Sequence, residues 1–419
     1  MDRELFVRNR KRIFELMEDN SILLSFSRRK VFDSVTNDKY DVDRNYYYLS
    51  GVFEYENIVM LVKNNKKTNE IIFINPYDDF KAKWVGAPLS KEDIKELSGI
   101  EDIRYLDSFE NYLNYYLKEI PNLYLDIETE NLNKALDENM LFAKKVKEHL
   151  PYVNIKNGRL LFQHARTIKD KLEIEEMKKA ISITAKGIEN ILSHIGPMYE
   201  YQLESYFDQA IKYNGATSYA FATIAASGEN SCCLHYQDNN SFAKDGDLIL
   251  FDLGCSLNCY CSDISRTYPV NGKFTDRQRQ IYNIVLEGQK LVFDNAKPGV
   301  TTRELNQILV KFYGKKLKEI GLIKNGTPDE VSKYYYHAVS HHIGLDCHDL
   351  CDYTPLKPGS IISNEPGLYI KEEKIGIRIE DDILITENGA EWLSPQILKD
   401  PYEIEKFIKE SKSKWNKVL

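Results

Sequence analysis

Four carboxylates set in apolar strand-like runs, at matching places in a repeated pattern, constrain this chain most. Asp252 closes the run LILFD and Asp263 stands in YCSDISRT, while Glu365 stands in SNEPGLY and Glu380 in IRIEDDILI. Burying an ionised carboxylate among apolar neighbours costs several kcal/mol unless a cation pairs with it. Four such groups on facing strands would repel one another, and two divalent cations would offset the repulsion. The competing reading is that these acids lie in surface turns or serve as salt-bridge partners. Asp381 and Asp382 suit that reading; the unbroken apolar run before Asp252 argues against it there.

The surrounding pattern reads helix, helix, hairpin, twice over. A long helix from about Lys169 to His194 carries Met177, Ala180, Ile181, Ala185, Ile188 and Ile191 at helical spacing and stops at Gly196-Pro197. A helix at Tyr201 to Tyr213 and a strand pair, Leu248 to Cys255 and Tyr260 to Val270, complete the first set. Helices at Asp276 to Ala296 and Arg303 to Ile320 precede the second pair, Ile361 to Ile370 and Gly376 to Ile385. Two such sets can pack about a pseudo-twofold axis with their hairpins facing one another. Upstream, strand and helix signals alternate. Ile58 to Val62 and Ile71 to Ile74 read as strands around a polar turn at KNNKK, Ser90 caps a helix, Asp107 or Ser108 starts another, and Asn122 to Ile127 is a further strand. The polar stretch Lys156-Asn157-Gly158 marks a boundary. The expected architecture is α/β, with a mixed α/β domain over 1–155 and a second domain with an internal repeat over 160–419.

The 419 residues suit two domains and can bury a sizeable core. A net charge of -8 without a dense basic stripe disfavours nucleic acid as a partner. No run of 18 apolar residues predicts a membrane span, and charges interrupt the opening MDRELFVRNRKRIFELM. Seven cysteines, an odd number, fit reduced thiols in the cytoplasm, packed as small buried hydrophobes. The alternative for them is oxidation sensitivity or a soft-metal site. Disorder is expected only at the Lys-rich end, Lys409 to Lys417.

The segment HAVSHHIGLDCHD adds His337, His341, His342 and His348 to the carboxylates. One imidazole with several carboxylates suits Mn, Co, Fe or Zn, and the lack of a CxxC pair argues against a structural zinc site.

These residues resemble aminopeptidase P and, more broadly, the pita-bread metallopeptidases that include prolidase and methionine aminopeptidase. The resemblance rests on RTIKDKLEIEEMKKA, SGENSCCLHY, FDLGCSLNCYCSDISRTYPVNGKFT, SHHIGLDCHD, NEPGLYI and GIRIEDDILIT, in the family's order. YDVDRNYYYLSGV and KWVG resemble the aminopeptidase P N-terminal domain. The resemblance implies a pita-bread catalytic domain and two divalent metal ions, Mn2+ first among the candidates, held by Asp252, Asp263, His341, Glu365 and Glu380. It implies that Glu365, His348 and His235 take part in catalysis and that His337, Tyr369, Arg378 and Trp84 meet the substrate. Trp84 would wall the pocket, sometimes from a neighbouring subunit; otherwise it is a core tryptophan. The implied substrate is a short peptide with proline second, cut before the proline by a homodimer or homotetramer. Prolidase, which cleaves only Xaa-Pro dipeptides, is the nearest competitor. Prolidases typically grip the substrate carboxylate with an arginine between the second histidine and the first glutamate; between His348 and Glu365 this chain has only Lys357 as a cation. A non-catalytic binding module and metal-free chemistry of the creatinase kind are the remaining alternatives.

Overall fold

The computed structural model describes residues 2–28, 41–128, 133 and 135–415, and the chain divides into two compact units, 1–166 and 167–419. Tyr40, the first residue of the YDVDRNYYYLSGV motif, lies outside the described residues.

In the first unit one mixed sheet runs in the spatial order Asp102–Tyr105, Lys67–Ile74, Ile58–Asn64, Ser21–Phe26, Asn122–Leu125, Asn154–Asn157. Ile58–Asn64 pairs antiparallel with both neighbours, and the other three pairings are parallel. The KNNKK segment makes the tight hairpin between Ile58–Asn64 and Lys67–Ile74. Asn65 and Lys66 both take positive φ there, as a two-residue hairpin turn that follows the strand twist requires. Ser90 caps the helix Lys91–Ser98 in a reciprocal capping box with Asp93. The polar stretch read as a boundary contributes Lys156 and Asn157 to the sheet's last strand, and the first unit continues along the helix Arg159–Thr167 to Arg166.

The second unit contains the helix, helix, hairpin pattern twice. Helices Lys171–His194 and Glu200–Tyr213 precede the first hairpin, and helices Asp276–Asn295 and Thr302–Glu319 precede the second. Met177, Ala180, Ile181, Ile188 and Ile191 are buried, with Ala185 half-buried at the margin of the same face. The sequence reads each hairpin as two continuous strands; in the structure each is broken near its middle. Leu248–Leu253 pairs with Ile264–Pro269, and after a gap Cys255–Leu257 pairs with Tyr260–Cys261. Likewise Ile361–Asn364 pairs with Asp381–Thr386, and Gly367–Ile370 with Ile375–Arg378. The causes are local. At Gly254 any Cβ would meet the Ser262 carbonyl oxygen at 1.9 Å, so only glycine permits that approach. At Pro366 the chain lacks the N–H that would continue the ladder.

The register runs unchanged through both gaps. Continued across them, it sets Gly254 opposite Asp263 and Glu365 opposite Glu380. The two hairpins face each other as the repeat predicts. Glu380 N–H donates to the Ser265 carbonyl at 3.0 Å, and Arg378 N–H donates to Thr267 Oγ1 at 3.2 Å.

The Lys-rich end departs from expectation: Pro401–Trp415 is helical, and its Ile404 and Ile408 are buried in the second unit's core. The apolar pair one turn apart seats the helix on the core; of the lysines after it, Lys409 is exposed and Lys412 Nζ donates to the Asn271 carbonyl, while Asn416 and Lys417 lie outside the described residues. Among the described residues, no helix is long and apolar enough to cross a membrane.

Candidate metal centre and active site

All four carboxylates stand at or beside the gaps in the hairpins. There the ladder no longer uses the backbone, and side chains from both hairpins converge. Asp263, His341 and Glu380 present ligand atoms all within 4.8 Å of one another. His341 Nε2 lies 3.4 Å from Asp263 Oδ2 and 3.4 Å from Glu365 Oε1. Ser265 Oγ donates to Glu380 Oε2 at 2.7 Å. Asp252 Oδ2 accepts from Arg378 Nη2 at 2.6 Å, while Asp252 Oδ1 is buried with no hydrogen-bond partner among the described residues.

The segment bearing His341 is held as if it were one more strand. His341 N–H donates to Ser363 Oγ, Ser363 N–H to the His341 carbonyl, and Glu365 N–H to the Val339 carbonyl. His341 Nδ1 lies 3.1 Å from the His342 carbonyl. A proton on Nδ1 is thereby fixed, and Nε2 is left as the ligand atom. Its neighbour His342 faces away: it is buried and pushed down to about 4, first by burial and then by Lys169. Beyond it, Lys169 Nζ donates to Asp349 Oδ2 at 2.9 Å, both side chains being 1% exposed, and Asp349 N–H returns to the His342 carbonyl. This closed loop follows directly on His341 and carries Cys347 and His348.

Breaking a buried ion pair from one side costs about 3–5 kcal/mol. Asp349→Ala is therefore expected to lower the unfolding free energy by about that amount in a urea titration. Lys169→Met with Asp349→Leu should recover most of it, because the uncompensated charge is gone.

Electrostatics agree with a centre that wants cations. Without one, burial raises Asp252, and the Asp263 charge adds to that against the pull of Arg378. Glu365 is pushed up to about 7, by burial first and then by Asp263, with His341 opposing. Glu380 lies well above the usual carboxylate range because it is buried and faces Asp263, Glu365 and Asp252. Burial would raise Asp263 too, but His341 and Cys347 outweigh it and bring it down. His341 is depressed by burial yet ends at about 9, because Asp263 and Glu365 hold its proton. Like charges set directly opposite across a hairpin are destabilising. Two glutamates in register, two nearby aspartates, a buried carboxylate oxygen with no partner and one imidazole make a donor set of oxygen and nitrogen. That set fits divalent cations.

A second chain of polar groups lies beside the first. Arg378 donates from Nε to Ser265 Oγ at 2.8 Å and from Nη1 to Tyr369 Oη at 3.0 Å, and Tyr369 Oη lies 2.9 Å from His337 Nε2. His337 Nδ1 sits 2.7 Å from the Ala338 carbonyl and 3.6 Å from Glu365 Oε2. Burial and then the Arg378 charge push His337 down to about 3, so it is neutral at ordinary pH. His348 stacks on His341 at 4.0 Å between ring centres. His235 is an electrostatic neighbour of both His337 and His348, which brings the three histidines into one neighbourhood.

Of the candidate site residues, Trp84 alone belongs to the first unit. It sits on the short helix Asp79–Val85 and is 69% exposed beside Phe80, so it is not a core tryptophan. Asp381 is a buried salt-bridge partner, of Arg266 at 2.6 Å and Lys399 at 2.8 Å, rather than a surface turn. Asp382 is buried as well and accepts from the Asp263 N–H. The packing expected of the cysteines holds for Cys255, Cys259, Cys261 and Cys351, whereas Cys233 is exposed and Cys232 and Cys347 are half-buried. Ser265 was not foreseen. A serine in the strand run DISRTYP, two positions from an acid and so on the same face of the strand, was the available signal.

The profile of metallopeptidase family M24 matches residues 175–387, and that of the aminopeptidase P N-terminal domain matches residues 6–124. The chain belongs to metallopeptidase family M24. It is 31% identical to a Xaa-Pro aminopeptidase of Escherichia coli (strain K12) over 97% of each chain. A solved structure described as a putative aminopeptidase P from Bacillus anthracis superposes with a TM-score of 0.94 at 42% identity, covering 98% of this chain and 99% of that one. Escherichia coli aminopeptidase P with the inhibitor Pro-Leu superposes with a TM-score of 0.89 at 30% identity, covering 99% of each. This protein is a metal-dependent aminopeptidase, with an aminopeptidase P N-terminal domain ahead of its catalytic one.

Proposed function

We propose that the chain removes an N-terminal residue standing before proline, with Asp252, Asp263, His341, Glu365 and Glu380 holding two divalent cations, Mn2+ in the native protein. The observation that carries the reading is the convergence of Asp263, Glu365 and Glu380, at the two hairpin gaps, on His341, with Glu365 in register opposite Glu380. In this reading Asp263, Glu380, His341 and Glu365, with Asp252 beside them, would hold the ions. Paired cations of this kind, when bound, polarise a scissile carbonyl and lower the pKa of water toward neutrality.

The protein's own groups then supply the proton traffic. Glu365 takes a proton from the attacking water and delivers it to the departing prolyl nitrogen. That nitrogen carries no hydrogen in the peptide, so it must receive one to leave as an amine. His348, at the exposed edge of the site, donates to the developing oxyanion. His235 and neutral His337 line the space around the proline. Arg378 fixes Asp252 and Tyr369 together, and Tyr369 fixes His337.

Peptide rather than dipeptide substrates are favoured by one feature. Between His348 and Glu365 the only cation is Lys357, exposed and 3.9 Å from Asp352, so no arginine is placed there to grip a dipeptide carboxylate. Bound Pro-Leu in the Escherichia coli relative supports a proline-containing ligand. A direct assay decides: Xaa-Pro-Yaa should be cut readily, with Xaa-Ala-Yaa and Xaa-Pro much slower. Preference for Xaa-Pro would make the protein a prolidase.

The reading includes a homodimer or homotetramer in which Trp84 is covered by a second copy. Tyr77, Phe80, Trp84 and Val85, all more than half exposed, form the apolar cluster that supports it. It also includes residence in the cytoplasm, where seven unpaired cysteines stay reduced.

A further inference from the structure

Five oxygen and nitrogen side chains account for the carboxylate centre, yet a sulfur atom stands at its edge. Cys347 Sγ donates to Asp263 Oδ2 at 2.8 Å. Its neighbour His348 turns back so that its ring stacks on His341 at 4.0 Å with 24° between planes. Cys347, His341 and His348 thus offer one sulfur and two imidazole nitrogens, all within 4.8 Å of one another. Donors bound tetrahedrally to one ion at about 2.0–2.3 Å lie about 3.3–3.8 Å apart, so side-chain movements of about an ångström close the set. The buried ion pair Lys169–Asp349 braces the loop that follows His341 and carries Cys347 and His348. The site is open to solvent on the His348 side, which leaves a path for entry and a fourth position for water.

We infer that Cys347, His341 and His348 form a separate site for a thiophilic divalent cation, overlapping the carboxylate centre through His341. Sulfur with two imidazoles selects soft and borderline ions over those that prefer oxygen. On binding, the sulfur–cation bond forms as the thiol proton leaves to solvent, and nothing is oxidised or reduced. Occupancy withdraws His341 from the carboxylates and engages His348, so the ion acts as an inhibitor. The site itself stands independently of the substrate proposed above; its inhibitory effect rests on that reading.

Cobalt is the first probe. The full-length protein, already saturated with Mn2+, is titrated with Co2+ and followed in the near ultraviolet. Wild type should develop an intense thiolate-to-cobalt charge-transfer band that Cys347→Val lacks. That variant keeps the exposed Cys233 and the other five cysteines, so a band of equal strength in both proteins overturns the site. A wild type with no such band overturns it as well, whatever the fate of the variant. Cd2+ is the second probe. Removing a ligand costs affinity by at least the 10–100-fold typical of lesser changes around a metal. The Cd2+ concentration that halves peptidase activity should therefore rise at least about tenfold in Cys347→Val, and equal sensitivity refutes the inhibitory role. If Cys347→Val does not fold, Cys347→Ser serves in both measurements, since a hydroxyl gives no such band. A protein idle toward prolyl peptides but showing the band keeps the cation site and loses only the substrate reading.

Discussion

Glu365→Gln is expected to lower kcat on a Xaa-Pro-Yaa peptide by about 10²–10⁴-fold, the range associated with losing a positioned proton carrier. The amide keeps the size of the side chain and a carbonyl oxygen, so the fold should survive, but it cannot accept and return a proton. Glu365 also lies in the ligand cluster, and the experiment must therefore separate two effects. Bound metal is measured on the same sample by elemental analysis, alongside the melting temperature. A variant that retains its cations and its fold but turns over at the wild-type rate would dismiss Glu365 as the proton carrier. A variant that loses metal and regains activity at high metal concentration would assign it to ligation alone.

Chelation should take activity to background, and its effect on stability should depend on pH in a stated direction. Without a cation, Glu365 titrates near 7 in the folded chain against an ordinary 4.5. The folded state then binds more protons than the unfolded one between those values, so stability present below 4.5 is lost as pH rises through about 7. His341, held up to about 9 by Asp263 and Glu365 against burial, loses its contribution between 6.5 and about 9. Both act in the same sense, and Asp263, which is depressed, is ionised in either state over this range. His337 and His342, depressed to about 3 and about 4, act in the opposite sense but only below 6.5, so the metal-free protein should melt at progressively lower temperature as pH is raised from about 6.5 to about 9. Restoring the cation at a hundred times its dissociation constant should return about 2.7 kcal/mol and flatten that slope. A melting temperature indifferent to both chelator and pH would count against a cation-dependent centre.

The helices and the repeat were legible because they follow from periodicity. Met177, Ala180, Ile181, Ile188 and Ile191 announce one buried face, and capping residues such as Ser90 mark where helices begin. The carboxylates were legible as chemical anomalies, each an acid in an apolar run. What could not be read was the interruption of the hairpins. It depends on a carbonyl of Ser262 pressing on Gly254 from the opposite strand, a contact that no local pattern encodes. The buried network around Asp381 was equally hidden. Arg266, Lys399 and Gln289 reach it from distant parts of the chain, and only their convergence turns an ordinary acid into a structural one. The histidine-rich segment lay between these cases. Its residues drew attention by number, but which of them would point inward was decided by backbone bonds to Ser363 and the 361–364 strand.

The unbroken register of the second hairpin has a consequence for how such a protein diversifies. Glu365 and Glu380 face one another because of the strands between the gap and the tip, and the tip itself, around Lys371–Glu373, lies beyond the last paired residues. Residues added or removed there change the reach of an exposed ridge and leave the two acids in alignment. The short 15-residue spacing between them is thus a statement about the hairpin's outer rim alone. The length of that rim can therefore vary while the pairing that aligns the two acids is kept.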